Sequence, residues 1–319
     1  MMASWQAEFV KLIVRLHIRR RKWGSDEAAL ARRARRVFGA PGFYQRLQSY
    51  AVNVAPIRDG NVDGEWVTPK DVDEDGVILY LHGGGYISCS AATHRPITAA
   101  LARLSRLRIF AANYRLAPEF RFPAAVDDAM AAYQWLIEQK RSTIALAGDS
   151  AGGGLVLALM LRARDVGLPS PVCGVCFSAW TDLAGTGESI RANDGRDAMF
   201  RTDNMPDFAA AYLGEQSASN PLASPFYANL KGLPPVQLQV ASPELLLDDS
   251  RRVHEKIQQS GGVSRLEIYD DLFHGWQMTD RIVPEARDSL RSAAKFIREF
   301  LQRSTISIPL CQTPPDRFK

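Results

Sequence analysis

The stretch Ile144-Ala145-Leu146-Ala147-Gly148-Asp149-Ser150-Ala151-Gly152-Gly153-Gly154 changes character at its centre. Up to Ala147 it is short and apolar, as a buried strand would be. From Ala151 small residues lead into a helical pattern that runs to Arg164. Between them Gly148-Asp149-Ser150-Ala151-Gly152 fits G-x-S-x-G, in which a strand turns sharply into a helix and presents the serine hydroxyl at the turn. The small residues flanking Ser150 permit the tight turn and close packing of the following helix. That helix also points its positive end toward the serine. A glycine-rich turn whose serine only caps a helix would carry the same letters, so the rest of the chain has to decide.

Upstream, the apolar run Val77–Leu81 leads into His82-Gly83-Gly84-Gly85-Tyr86. Glycine has no Cβ, so a substrate oxygen can approach its N–H closely. Cleavage of an ester passes through a tetrahedral intermediate with a negatively charged oxygen, and one preorganised N–H can contribute roughly 3–4 kcal/mol to it. We assign Gly83, Gly84 and Ala151 as the oxyanion-hole donors and His82 as a brace for the loop. A phosphate-cradling loop is the other reading, but the run lacks the Lys-Ser/Thr ending and does not fit G-x-G-x-x-G.

Around these strings, apolar β-branched runs alternate with helical patterns, the mark of an α/β protein with a mostly parallel sheet flanked by helices. Eight strands are expected: Tyr50–Ala55, Glu65–Thr68, Val77–Leu81, Arg108–Ala112, Thr143–Ala147, Val172–Phe177, Val236–Ala241 and Arg265–Tyr269. The first two have no helix between them and should form an antiparallel edge. Helices are expected at Thr93–Leu104, Pro123–Gln139, Ala151–Arg164, Leu245–Gln259 and Pro284–Gln302. Two stretches break the alternation. Residues 1–45 are helical and polar, and residues 183–220 are too long for a simple loop. We read them as two parts of a helical cap over the C-terminal edge of the sheet, where open α/β sheets bind ligands. Asp203, Met205, Phe208, Tyr212 and Leu213 mark a helix in the second part. Residues 46–303 form the catalytic domain around that insertion, and residues 304–319 form a tail outside the core.

A serine needs an adjacent base. Of the five histidines, His17 lies in a basic N-terminal helix, and His94 and His254 sit in helical patterns and read as surface residues. His274 follows the last strand in Asp270-Asp271-Leu272-Phe273-His274-Gly275, a loop that can reach Ser150 above the sheet. The acid should fall between serine and histidine in chain order. Glu244, just after the strand Val236–Ala241, fits best. It could equally be a first-turn acid behind an N-cap at Ser242 and Pro243 at the first helical position. Asp248 is the runner-up, with Asp270 and Asp271 minor candidates.

Composition excludes several classes. The chain has 319 residues and a net charge of +4, too little to argue for nucleic acid. The positive charge is uneven: Arg15, Arg19, Arg20, Arg21 and Lys22 cluster, followed by Arg32, Arg33, Arg35 and Arg36. Solvated helix faces explain the clusters, and an anionic membrane surface is the alternative. No apolar run is long enough to span a membrane, so stable insertion is not expected. Glu8, Lys11 and Arg15 interrupt any secretory signal, and a reducing cytoplasm is the default location. Cys173 and Cys176 have redox-motif spacing, but three positions apart in a buried strand they point to opposite faces. No cofactor and no metal is expected.

Taken together, His82–Tyr86, Asn113–Glu119, Phe122–Asp128, Gly148–Gly153, Ser178–Leu183, Ser224-Pro225 with Leu233-Pro234-Pro235, and the His274 segment resemble the hormone-sensitive-lipase-like esterases, bacterial family IV of the α/β-hydrolase fold. The resemblance covers roughly residues 45 to 300. It implies an α/β-hydrolase with a helical cap, cleaving short- to medium-chain carboxylic esters without cofactor. It implies Glu244 at the position where the family usually has Asp, and Asp248 as support for that loop. Tyr86 and Trp180 are candidates for the substrate-pocket lining, with the core as an equal reading for either. A homodimer is compatible with the likeness, although no residue demonstrates one. An amide or formamide hydrolase with the same triad stays open, as does a non-catalytic small-molecule receptor, a class that on this fold lacks the catalytic histidine.

Overall fold

The computed structural model describes residues 3–39, 51–73, 76–139, 141 and 143–306. Tyr50, Cys311, residues 40–45 of the expected cap and most of the expected tail lie outside them. The sheet has eight strands: β1 Val52–Asp59, β2 Val62–Pro69, β3 Val77–Leu81, β4 Arg108–Ala112, β5 Ile144–Asp149, β6 Gly174–Phe177, β7 Val236–Ala241 and β8 Ser264–Tyr269. Their order across the sheet is β1-β2-β4-β3-β5-β6-β7-β8. β1 and β2 pair antiparallel, β2 is antiparallel to β4, and all later pairs are parallel.

The antiparallel edge is longer than its apolar residues imply. Asp59 pairs with Val62, so the strands meet at the two-residue turn Gly60-Asn61, where Gly60 has φ +55°. The polar residues between the expected strands belong to the hairpin, because an edge strand can leave one face in water. Pro56 is accommodated within β1, the outermost strand.

Helices α1 Trp5–Val14, α2 Glu27–Phe38, α3 Arg95–Ser105, α4 Ala124–Glu138, α5 Ala151–Asp165, α6 Ser189–Ala192, α7 Met205–Leu213, α8 Leu247–Gln259 and α9 Pro284–Ile306 complete the fold. α9 continues through the expected 303/304 boundary to Ile306, so the tail begins later than the sequence suggested. The sheet separates two apolar cores. One contains Leu79, Leu146 and Cys176 with α4, α5 and α8; the other contains Ile78, Ala145 and Cys173 with α3 and α9. Cys173 and Cys176 therefore do point to opposite faces, each as a buried free thiol.

The two segments that interrupt the alternation pack on each other. Trp23, ahead of α2, stacks on Phe38 at 5.7 Å and meets Phe208 of α7 edge-on at 5.6 Å. Arg19 donates to Asp194 at 2.8 Å and to the Phe200 carbonyl, and Arg15 donates to the Gly195 carbonyl. Arg35 forms a bidentate pair with Glu119, at 2.8 and 2.6 Å. Part of the basic N-terminal cluster thus fastens residues 3–39 to the body.

Candidate active site

Close approach dictates the serine turn. A Cβ on Gly152 would lie 2.0 Å from the Leu81 carbonyl oxygen, and one on Gly148 would lie 2.5 Å from that of Gly152. Only glycine lets β3, β5 and the start of α5 pack this tightly. Ser150 itself has φ +53° and ψ −122°, a conformation that costs on the order of 1–3 kcal/mol in a non-glycine residue. The surrounding backbone fixes it. Ser150 N–H donates to the Phe177 carbonyl at 2.7 Å, and its carbonyl accepts from Trp180 N–H at 2.9 Å.

His274 and Glu244 come together from loops after β8 and β7. Their separation is 2.6 Å from Nδ1 to Oε2. An ionised carboxylate only accepts, so Nδ1 carries the proton and Nε2 is left with its lone pair. The other carboxylate oxygen accepts from Ser178 Oγ at 2.8 Å and from Ala241 N–H at 2.7 Å. α8 starts at Leu247, so Glu244 sits in the preceding turn rather than inside the first helical turn. Asp248 faces elsewhere, accepting from Ser189 N–H at 2.8 Å. Asp271 pairs with Lys11 at 2.9 Å.

Ser150 and His274 line one cavity of about 200 Å³, together with Gly84, Asp149 and a mostly apolar wall. Burial alone would disfavour a charged His274, but the Glu244 carboxylate outweighs it, and the pKa stands above the ordinary 6.5. A base must be unprotonated to accept a proton. kcat/KM for a soluble ester should therefore fall as pH drops, with an acid limb whose midpoint lies above 6.5. A rate flat from about pH 5 to 8 would exclude a histidine base.

The oxyanion donors need one correction. Gly83 N–H is already engaged, donating to Asp149 Oδ1 at 3.0 Å. Among the described residues no partner engages the N–H of Gly84, Gly85 or Ala151. The available set is thus shifted one residue along the glycine run. His82 does brace the loop: its ring lies 4.2 Å from Tyr114 in a stack, and its Nδ1 is 2.7 Å from the Gly83 carbonyl. Burial, aided by His94, lowers its pKa to about 3, so it stays neutral.

For the two aromatics the core reading holds and the pocket reading does not. Tyr86 and Trp180 are buried in the core and do not line the cavity. Tyr86 stacks on Tyr212 at 3.8 Å. The wall comes instead from Val10, Val14, Phe38, Met199, Phe200 and Met278. Sequence reading missed these because they lie far apart in the chain and carry no motif.

His94 is buried rather than at the surface. Its Nε2 lies 3.1 Å from Asp149 Oδ2, while Asp149 Oδ1 also accepts from Tyr80 Oη at 2.6 Å. Burial opposes both charges, yet the pair's mutual attraction and hydrogen bonds raise the pKa of His94 and lower that of Asp149. Asp149, the residue before Ser150, thereby ties the glycine loop to the elbow. Asp197 plays a similar part on the other side. It accepts from Met199 and Phe200 N–H at 2.7 and 2.9 Å and from Leu245 N–H at 2.9 Å, joining the apolar wall to the Glu244 turn.

Residues 78–278 match the model of a family described as having the alpha/beta hydrolase fold. An acetyl-hydrolase of Streptomyces hygroscopicus is 36% identical over 304 residues, 93% of this chain and 97% of its own length. An esterase of Acinetobacter venetianus is 34% identical, over 78% of this chain and 83% of its own. The crystal structure of an esterase from the bacterial hormone-sensitive lipase family superposes with a TM-score of 0.86 at 37% identity, covering 94% of this chain and all (100%) of that one. The structure of EstE5 soaked with p-nitrophenyl butyrate matches with the same TM-score, 0.86, at 35% identity over 94% of this chain and 100% of its own.

Proposed function

The chain belongs to the α/β hydrolase family as a carboxylic ester hydrolase of the bacterial hormone-sensitive lipase kind, and we propose that it cleaves short- to medium-chain esters through a Ser150–His274–Glu244 triad and an acyl-enzyme. The observation that carries this reading is the 2.6 Å contact between His274 Nδ1 and Glu244, with His274 and the elbow serine lining one cavity. A carboxylate on Nδ1 leaves Nε2 as the acceptor for the serine proton.

The ester carbonyl oxygen takes the N–H groups of Gly84, Gly85 and Ala151. Ser150 Oγ attacks the carbonyl carbon while His274 Nε2 takes its proton. The tetrahedral intermediate collapses, the C–O bond to the alcohol breaks, and the imidazolium returns the proton to the departing alkoxide. Water, deprotonated by the same nitrogen, then attacks the acyl carbon; the bond to Ser150 Oγ breaks, the imidazolium returns the proton to Oγ, and the carboxylic acid leaves. The Glu244 carboxylate holds the ring and offsets the transient positive charge.

The largely apolar cavity suits a short acyl or alkyl chain. A p-nitrophenyl ester series from acetate to palmitate, beside matched anilides, tests substrate class and length together. Turnover should be greatest on short to medium esters and fall steeply at palmitate. Comparable or faster anilide cleavage would replace the ester reading with an amidase.

A further inference from the structure

α1 carries two apolar faces. One holds Ala7, Val10 and Val14 and packs inward; Val10 and Val14 reach the active-site cavity. The other holds Trp5, Phe9, Leu12 and Ile13, continued by Leu16 in the π-helical turn Arg15–Arg19. Spacings of four, three and four residues place Trp5, Phe9, Leu12 and Leu16 on one stripe. Trp5 is 75% exposed, Phe9 58% and Leu12 52%. Scattered surface apolar residues need no explanation, but a contiguous stripe on one helix does.

An independent feature lies immediately after it. Arg21, Lys22, Arg33 and Arg36 line a surface groove of about 300 Å³, with Trp23 and Val37 at its floor. Arg21 and Arg33 donate to the backbone carbonyls of His17 and Trp23. Among the described residues no carboxylate pairs with any of the four, or with Arg20 or Arg32. Residues 1–39 hold ten Lys and Arg against three acidic residues, a net +7 in a chain whose total is +4. The remainder of the chain is therefore slightly acidic, and the positive charge is concentrated in the N-terminal segment that carries the apolar stripe.

We propose that this face docks on an anionic phospholipid surface, the α1 stripe entering the boundary of the acyl chains while the groove takes a lipid phosphate. A helix with an exposed apolar face and adjoining arginines and lysines has the properties of an interfacial element. Trp5 suits that boundary, where one side of the indole is apolar and the other wet. Charge complementarity selects a lipid surface over symmetric pairing with a second copy of this chain, in which two basic grooves would face each other. Because Val10 and Val14 line the cavity from the other side of α1, docking sets the catalytic cavity directly behind the lipid-facing helix. The attachment is peripheral: no helix among the described residues is long and apolar enough to cross a membrane.

The test is co-sedimentation of the full chain with phosphatidylcholine vesicles containing about one third phosphatidylglycerol, against phosphatidylcholine alone. Binding should require the anionic lipid and weaken as salt is added. A Lys22→Gln/Arg36→Gln double variant should bind about thirtyfold more weakly, each basic residue near an anionic surface contributing about fivefold. A Phe9→Ser/Leu12→Ser double variant should lose tenfold or more. Both should turn over p-nitrophenyl butyrate in free solution as the parent does, which separates failure of docking from failure of the esterase reading. No partition at low salt, or partition unaffected by either double variant, overturns the proposal. So does binding of inorganic phosphate without partition to vesicles. A vesicle-indifferent dimer that Phe9→Ser/Leu12→Ser dissolves would assign the stripe to a second copy instead, and equally overturns it.

Discussion

Replacing Ser150 with alanine is expected to lower kcat on p-nitrophenyl butyrate by about a millionfold while leaving the fold intact. The size follows from the role: triad serines act as a unit with their base, and loss of the nucleophile alone costs nearly as much as loss of the triad. What survives is assistance from the oxyanion donors and substrate binding, roughly a thousandfold to ten-thousandfold over water. The structural cost should be small. The elbow is held by backbone groups, Ser150 N–H to Phe177 and its carbonyl to Trp180, and alanine retains all of them. Its Cβ meets the positive φ that serine already tolerates. The melting temperature should therefore move by no more than about 2 °C. Stopped assays on purified protein, with near-identical melting curves, check both halves. A second readout is mass spectrometry after an organophosphorus ester, which should add one covalent adduct to the parent and none to the variant. Residual turnover of a few per cent would remove Ser150 from the reaction.

The parts of this site visible in the sequence are those where local geometry and chemistry constrain the same few residues. Gly148 and Gly152 are demanded by backbone contacts at a strand-to-helix turn, so the serine turn announces itself. His274 is legible because a strand ends just before it and a glycine follows. Parts built by long-range packing are not legible. Val10, Phe38, Met199 and Phe200 meet in the cavity wall only after the two segments outside the sheet fold over it. For Tyr86 the sequence leaves pocket and core open, because adjacency to a glycine loop says nothing about side-chain direction; its ring turns into the core to stack on Tyr212. The error at Gly83 has the same origin. Three consecutive glycine N–H groups are indistinguishable in sequence, and Asp149, 66 positions away, engages the first of them. His94 reads as a surface residue because its helical pattern is ambiguous alone, while its partner Asp149 gives no sign in sequence of needing a buried cation. In the hairpin, the apolar residues marked the strands but the polar ones hid their length, since an edge strand can wet one face.

Glu244→Gln carries the second largest expected effect and separates geometry from charge. The glutamine oxygen can keep the position that accepts from Ser178 Oγ and Ala241 N–H. Its amide nitrogen would then face His274 Nδ1, and two donors would oppose each other across a 2.6 Å contact. The ring relieves the clash by moving its proton to Nε2, the nitrogen that must be free to take the serine proton. A tautomer fixed the wrong way costs about ten-thousandfold in kcat. KM should change little, since Glu244 does not line the cavity. The remaining activity should also titrate differently. The carboxylate that raises the His274 pKa is gone while the burial that lowers it remains, so the acid limb should move to lower pH. Glu244→Ala should be as damaging to kcat and worse for stability, because the Ala241 N–H and Ser178 hydroxyl lose their buried acceptor at about 1–3 kcal/mol each. Asp248→Ala makes the control. The Asp248 carboxylate accepts from Ser189 N–H and lies 3.7 Å from Arg251. Its loss should loosen the start of α8 by about 1 kcal/mol and leave kcat within a few-fold. Were Asp248→Ala the more damaging to turnover per folded molecule, the acid would have to be reassigned, and the 2.6 Å contact to Glu244 would be structural rather than catalytic.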